Sequence, residues 1–191
     1  SRFLLSMLLM QSEDVVQKIG RLVGRFLQHG VLPLSEQEVV HRTRKPQVDI
    51  CAFALMPNHF HLLVREREDD AISKYMQRLL GSYTKYFNTK HERVGHVFQG
   101  PYQFVHVEDD AQLTYLSAYI HRNPRDIPPW RAKEHLYPWS SYQDYVSGNR
   151  WGELLQSKIV TDQVGSGMRY RKYVEQSGAK DRALDPVIRM D

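Results

Sequence analysis

Val48-Asp49-Ile50-Cys51-Ala52-Phe53-Ala54-Leu55-Met56-Pro57-Asn58-His59-Phe60-His61-Leu62-Leu63-Val64-Arg65 is the stretch that decides the fold. Residues 48–56 form a short apolar run and read as a buried strand. Pro57-Asn58 is a turn signal. His59 to Arg65 reads as the returning strand of a hairpin. Alternate residues of a strand face the same way, so His59 and His61 project from one face while Phe60 packs inward. Two imidazoles on a rigid strand make half of a metal site. Imidazole suits Mn, Fe, Ni, Cu and Zn, and joins harder oxygen ligands around Mn or Mg. Taken alone, the triplet is more often the signature of two surface histidines.

Upstream, apolar residues recur every three to four positions from Phe3 to Leu27, a helical pattern. Ser12, followed by Glu13 and Asp14, divides it into two helices. Gly30 and Pro33 end the second. A short helix is expected from Ser35 to His41, with Ser35 and Glu38 as a capping box. Arg42, Arg44 and Lys45 form a basic segment closed by Pro46. Downstream, Ile72 to Phe87 is amphipathic: Ile72, Met76, Leu79, Leu80, Tyr83 and Phe87 share one face, and Lys74, Arg78 and Lys85 lie opposite. Gly95 to Val107 is aromatic and β-branched and is expected to hold another strand. Asp109 and Asp110 favour a helix start, and that helix must stop near Pro124. Beyond it, Pro128, Pro129, Trp130, Pro138 and Trp139 mark an irregular wrap. Two short helices are expected, over Trp151 to Val160 and Met168 to Glu175.

Composition narrows the classes. The chain has 191 residues, enough for one domain with a core and a small appendage. Its formal charge of +4 permits a polyanionic partner without demanding one. The single cysteine, Cys51, excludes an internal disulfide and any multi-cysteine zinc site. No His-Glu-x-x-His helix suggests a zinc hydrolase. No apolar run is long enough to span a bilayer, and no small-residue cleavage site follows the apolar start, so a cytoplasmic location is expected.

The second chemical stretch is Tyr115-Leu116-Ser117-Ala118-Tyr119-Ile120-His121-Arg122-Asn123-Pro124. Tyr115, Tyr119 and Asn123 are four apart and share a helix face if the helix persists that far. A tyrosine can act as a nucleophile that forms a covalent intermediate. Its ordinary pKa of about 10 makes it weak near neutrality. A metal on a target phosphate offsets that weakness, and Asn123 offers an amide oxygen as a hard ligand. By spacing alone, these tyrosines are also what half-buried helix residues look like. Proline at 124 disfavours helical geometry at Asn123 and leaves its direction open.

Four blocks together resemble one family. Phe53 to Val64 is similar to the metal-site hairpin of the single-tyrosine transposases of the His-hydrophobic-His (HUH) class. Gly95-His96-Val97-Phe98-Gln99-Gly100 is similar to the segment after their first long basic helix. Tyr119-Ile120-His121-Arg122-Asn123-Pro124 resembles their nucleophile helix. Trp139-Ser140-Ser141-Tyr142 resembles a segment of the REP-associated tyrosine transposase branch. The blocks stand in family order. The resemblance implies an α+β fold: an antiparallel sheet with helices packed on it, of ferredoxin-like HUH endonuclease type, followed by an irregular, helical C-terminal extension. It implies a catalytic domain over 1–146, with 11–46 as an insertion, and the extension over 147–191. It implies that His59 and His61 bind Mg or Mn and that Tyr119 attacks a DNA phosphate, leaving a 5′-phosphotyrosine and a free 3′-OH. Asn123 matches the position of a third, amide ligand. Two departures stand out. Relatives begin with a strand bearing a basic, glycine-containing turn, for which nothing before Phe3 provides, and Pro101 stands where many relatives have Arg.

The implied partner is single-stranded or hairpin DNA. Lys74, Arg78 and Lys85 form the first candidate surface, and Arg122, Arg125 and Lys133 lie close in sequence to the nucleophile helix. Tyr102 and Phe104 are candidates for stacking on unpaired bases. Arg169, Arg171 and Lys172 are candidates to brace a DNA hairpin. The resemblance leaves open whether the tyrosine helix serves its own chain or a homodimer partner. Two other readings are a DNA-binding module of the same fold without cleavage and a metal-dependent hydrolase without a covalent intermediate.

Overall fold

The described sheet is a two-stranded β-hairpin. In the computed structural model, which describes residues 1–12, 19–29 and 45–180, β1 is Val48–Leu55 and β2 is Phe60–Glu66. Residues 48–54 of β1 are buried throughout, as expected for a strand covered on both faces. The helices are α1 (Arg2–Leu9), α2 (Ile19–His29), α3 (Ala71–Lys90), α4 (Asp110–Arg122), α5 (Tyr142–Ser147), α6 (Lys158–Val164) and α7 (Met168–Gln176). The class is therefore α+β, with a small antiparallel sheet and a helical C-terminal region. The helix expected over 35–41, and Arg42 and Arg44, lie outside the described residues, as do Glu13 and Asp14.

The chain folds as two units. Unit 1 comprises Ser1–Asp49, Arg65–Tyr102 and Gly152–Leu154. Its α1 buries Leu4, Leu5, Met7, Leu8 and Leu9, and α3 packs against it. Tyr75 of α3 is fully buried and donates its hydroxyl to the Met7 carbonyl at 2.9 Å, so its one polar atom is satisfied. Phe3 meets Tyr83 edge-on at 5.1 Å between centroids, and Phe98 closes the cluster at 6.0 Å from Tyr83. Asp49 is buried at 2% exposure, and its charge is compensated by Arg65 and Arg67, both at 2.6 Å. At the start of α3 the Glu66 carboxylate accepts the Ile72 amide at 3.0 Å, satisfying one orphan donor of the first turn.

Unit 2 comprises Ile50–Val64, Gln103–Trp151 and Leu155–Asp191, described here to Lys180. Its core joins Cys51, Ala52, Ala54 and Leu63 of the hairpin to Leu113, Ala118, Tyr119 and Ile120 of α4 and to Tyr142, Tyr145, Val160, Tyr170 and Val174. The free edge of β1 is taken by an irregular segment rather than a strand. Leu55 donates to the Trp139 carbonyl at 2.8 Å, Ser141 donates to the Phe53 carbonyl at 3.0 Å, and the Ser141 hydroxyl accepts the Phe53 amide at 2.8 Å. Tyr137 and Tyr145 donate their hydroxyls to the Leu55 and Cys51 carbonyls at 2.7 and 2.6 Å.

The strand expected within Gly95–Val107 is not formed: the described sheet has two strands only. The outer edge of β1 is occupied by residues 139–141, which closes that edge to a further strand. The apolar side chains that suggested it are instead open to solvent, Phe104 at 79% and Val105 at 45%. The proline-rich wrap is a series of 3₁₀ turns at Asn123–Asp126, Pro128–Trp130 and Glu134–Leu136. The helix expected over Trp151–Val160 resolves into a 3₁₀ turn, Gly152–Leu154, and the separate α6.

Candidate active site

The hairpin turn closes with the Met56 amide donating to the His59 carbonyl at 2.9 Å. His59 stands immediately before β2 and His61 lies within it. Their rings meet edge-on, 4.9 Å apart at an interplanar angle of 89°, so the two imidazoles share one side of the hairpin. The His59 Nδ1 is 2.8 Å from Asn58 Oδ1, which fixes Nδ1 as the protonated nitrogen and leaves Nε2 with its lone pair.

Helix α4 brings the third and fourth groups. It starts at Asp109, whose carboxylate accepts the Gln112 amide at 2.7 Å. Tyr119, only 8% exposed, places its ring 6.0 Å from that of His61 at 84°. Asn123 keeps helical angles, φ −54° and ψ −39°, despite the proline that follows. Its amide N–H bonds the Ile120 carbonyl, tightening the last turn, and its side-chain Nδ2 donates to the Tyr119 carbonyl at 2.9 Å. With the amide nitrogen occupied in this way, Oδ1 is turned toward a cation.

That cation is Lys180, after α7. Its Nζ donates to Asn123 Oδ1 at 2.8 Å, pairs with the Asp126 carboxylate, and lies 5.6 Å from the centre of the Tyr119 ring. It also acts on the histidines. Burial, followed by His59 and Lys180, pushes His61 down to about 4, against the opposing pull of Asn123 and Asp126. His59 is likewise lowered, by desolvation first and Lys180 next, with Asp126 pulling the other way. Both histidines are thus biased toward the neutral form, the form that ligates metals. His61 Nε2 is buried with no hydrogen-bond partner. A buried, unpaired imidazole nitrogen beside a second imidazole and an amide oxygen fits a divalent cation held by His59, His61 and Asn123. Among the described residues no group of three or more His, Cys, Asp or Glu is placed to bind a metal, and the third donor here is an amide.

One supporting group was not marked by the sequence. His121 is fully buried, stacked on Tyr142 at 5.1 Å and 4°. Its Nδ1 is 2.7 Å from the Tyr170 hydroxyl and its Nε2 is 2.7 Å from the Ser141 hydroxyl. Tyr170 donates to Ser117 at 3.0 Å, and Ser117 donates to the Thr114 carbonyl at 2.6 Å. The donors run in one direction, so Nδ1 carries the proton and Nε2 accepts from Ser141. Burial holds His121 at about 3, neutral under ordinary conditions. The relay ties α4 to α7 and to the segment on the β1 edge. Lys180 and Asp126 were equally unmarked, because Lys180 reaches Asn123 across 57 residues and Asp126 across 54.

The expected DNA-binding residues fall in both units. Lys74 and Lys85 are exposed on α3. Arg78 is turned inward, donating to the Met10 carbonyl at 3.2 Å. Arg122 and Arg125, at the end of α4 and in the following turn, are half-buried. Tyr102 meets Ser73 through its hydroxyl at 3.2 Å. Tyr115 is half-buried against the core of unit 2.

The paired histidines of the hairpin thus face a tyrosine on a helix, with an amide one turn on. Residues 32–123, just under half of the 191 residues, match the family described as transposase IS200 like. The matched span holds His59, His61, Tyr119 and Asn123. No curated protein and no solved structure gives a significant match. Among the described residues no helix is long and apolar enough to cross a membrane.

Proposed function

We propose that this chain cleaves and rejoins single-stranded DNA through a 5′-phosphotyrosine, with Tyr119 as nucleophile and a divalent cation, Mg or Mn, held by His59, His61 and Asn123. The observation that carries the reading is the approach of the His61 and Tyr119 rings to 6.0 Å, with the unpaired Nε2 of His61 beside them. When bound, the cation supplies Lewis-acid polarisation and orientation of the scissile phosphate. The Tyr119 oxygen forms a bond to phosphorus and loses its proton to solvent. The P–O3′ bond breaks, and the departing oxygen takes up a proton to leave a free 3′-OH. A 3′-OH attacking the phosphotyrosine reverses these changes, so rejoining needs no nucleotide triphosphate.

The protein's contribution is placement. The relay through His121 holds α4, the Asn123 side chain bonds the Tyr119 carbonyl, and the tight turn at residues 56–59 sets both imidazoles. All four groups come from one chain, which supports a site complete within a single copy. The likeness of residues 139–142 to the REP-associated branch supports hairpin-bearing dispersed repeats as the substrate. Lys74, Lys85, Arg122 and Arg125 are the proposed phosphate contacts and Phe104 the proposed base platform.

The test is incubation with labelled hairpin-bearing single-stranded DNA and Mn, followed by a denaturing gel and mass mapping of the adduct. An adduct on Tyr119, absent from Tyr119→Phe, supports the reading. Metal-dependent cutting that survives Tyr119→Phe points to a hydrolase, and binding without cutting points to a silent DNA-binding module.

A further inference from the structure

Lys180 takes up the amide oxygen that the proposed cation needs. Its Nζ bonds Asn123 Oδ1 at 2.8 Å, pairs with Asp126 and stands over the Tyr119 ring at 5.6 Å. The lysine is held rather than loose. Its side chain is 14% exposed, and its backbone sits at φ 63°, a left-handed conformation that a lysine adopts at a cost. The same residue stands close enough to both histidines for its charge to act on each. Ammonium and divalent ion thus converge on one acceptor and repel across a partly buried site, where charges are poorly screened.

We propose that Lys180 is a built-in competitor of the divalent cation: it occupies Asn123 Oδ1 while the metal is away, and metal binding requires its Nζ to withdraw from that oxygen. Asp126, whose carboxylate it already touches, keeps the withdrawn ammonium paired. Lys180 thereby sets the metal concentration at which the site fills. The inference rests on the reading of His59, His61 and Asn123 as ligands.

The experiment measures Mn binding to the DNA-free full chain by calorimetry and by the loss of the free-Mn resonance signal. Lys180→Met and Lys180→Gln are expected to bind Mn about tenfold more tightly than the parent. Lys180→Arg, which keeps the charge, stays near the parent value. Lys158→Met, which removes an exposed charge from α6, leaves it unchanged. Equal or weaker binding in both neutral variants overturns the proposal while leaving the ligand reading intact. Absence of Mn binding in the parent and in every variant overturns both. An equal gain from Lys158→Met also overturns it, since net charge alone would then explain the effect.

Discussion

Asn123 donates its side-chain Nδ2 to the backbone carbonyl of Tyr119 at 2.9 Å, one helical turn back. The proposed nucleophile and the proposed amide ligand are therefore a single mechanical piece, with the amide oxygen turned toward Lys180. Asn123→Asp keeps an oxygen donor but replaces the N–H with an acceptor facing that carbonyl. The expected outcome is a stability loss of about 1–3 kcal/mol, from an unsatisfied buried carbonyl and a repelled carboxylate. Urea unfolding of metal-free protein measures it, and an unchanged midpoint would refute the arrangement.

His61 supports the opposite prediction. Its Nε2 is buried without a hydrogen-bond partner, so on the proposed reading the side chain serves metal binding at the expense of stability. His61→Leu should abolish the phosphotyrosine adduct while leaving the metal-free protein as stable as the parent, or more stable by about 1 kcal/mol. Thermal unfolding alongside the adduct assay distinguishes this from general damage. A large loss of stability would mean that the imidazole is structural.

Tyr119→Phe removes one oxygen from a mostly buried ring. Cleavage and adduct formation should both fall below detection. The apolar packing remains, so the unfolding free energy should shift by no more than about 1 kcal/mol.

Acid sensitivity follows from His121. Its pKa in the folded state is about 3, against an ordinary value of 6.5. Between those values the unfolded chain binds a proton that the native state refuses, so stability is full above about pH 6.5 and declines as pH falls. From pH 7 to pH 5 this one residue should cost on the order of 2 kcal/mol. His61, held at about 4, acts in the same direction. His121→Asn should flatten the pH dependence even though it lowers stability overall. Denaturant titrations at the two pH values provide the check.

Phe104 offers a test of the DNA surface. At 79% exposure it contributes little to the core, and truncation should spare stability. If it stacks on an unpaired base, Phe104→Ala should weaken single-strand binding by about 1–3 kcal/mol. Fluorescence anisotropy at fixed salt measures the change.

The residues proposed to carry chemistry were brought together by periodicities legible in the sequence. The spacing of two in His59-Phe60-His61 and of four between Tyr119 and Asn123 translate directly into shared faces. The hairpin, α3, α4 and α7 followed from the same periodicities. What failed depended on non-local geometry. Residues 95–107 have strand-like composition, yet composition cannot reveal that the edge of β1 is occupied by Trp139, Ser140 and Ser141. Arg78 keeps the helical phase of Lys74 and Lys85, yet its long stem bends back to the Met10 carbonyl. Lys180, His121 and Asp126 belong to no motif, and their partners lie too far along the chain for spacing to indicate them.

The segment 139–141 laid against β1 has one more consequence. A strand edge left bare is a template for any passing chain, and intermolecular pairing there is a common route to insoluble aggregates. Here that side of the hairpin is sealed by serine hydroxyls and backbone groups that do not continue as a ladder. A protein whose proposed chemistry requires handling unpaired polymer thus keeps its own most adhesive backbone covered, and disrupting Ser141 should appear first as precipitation during expression rather than as a kinetic defect.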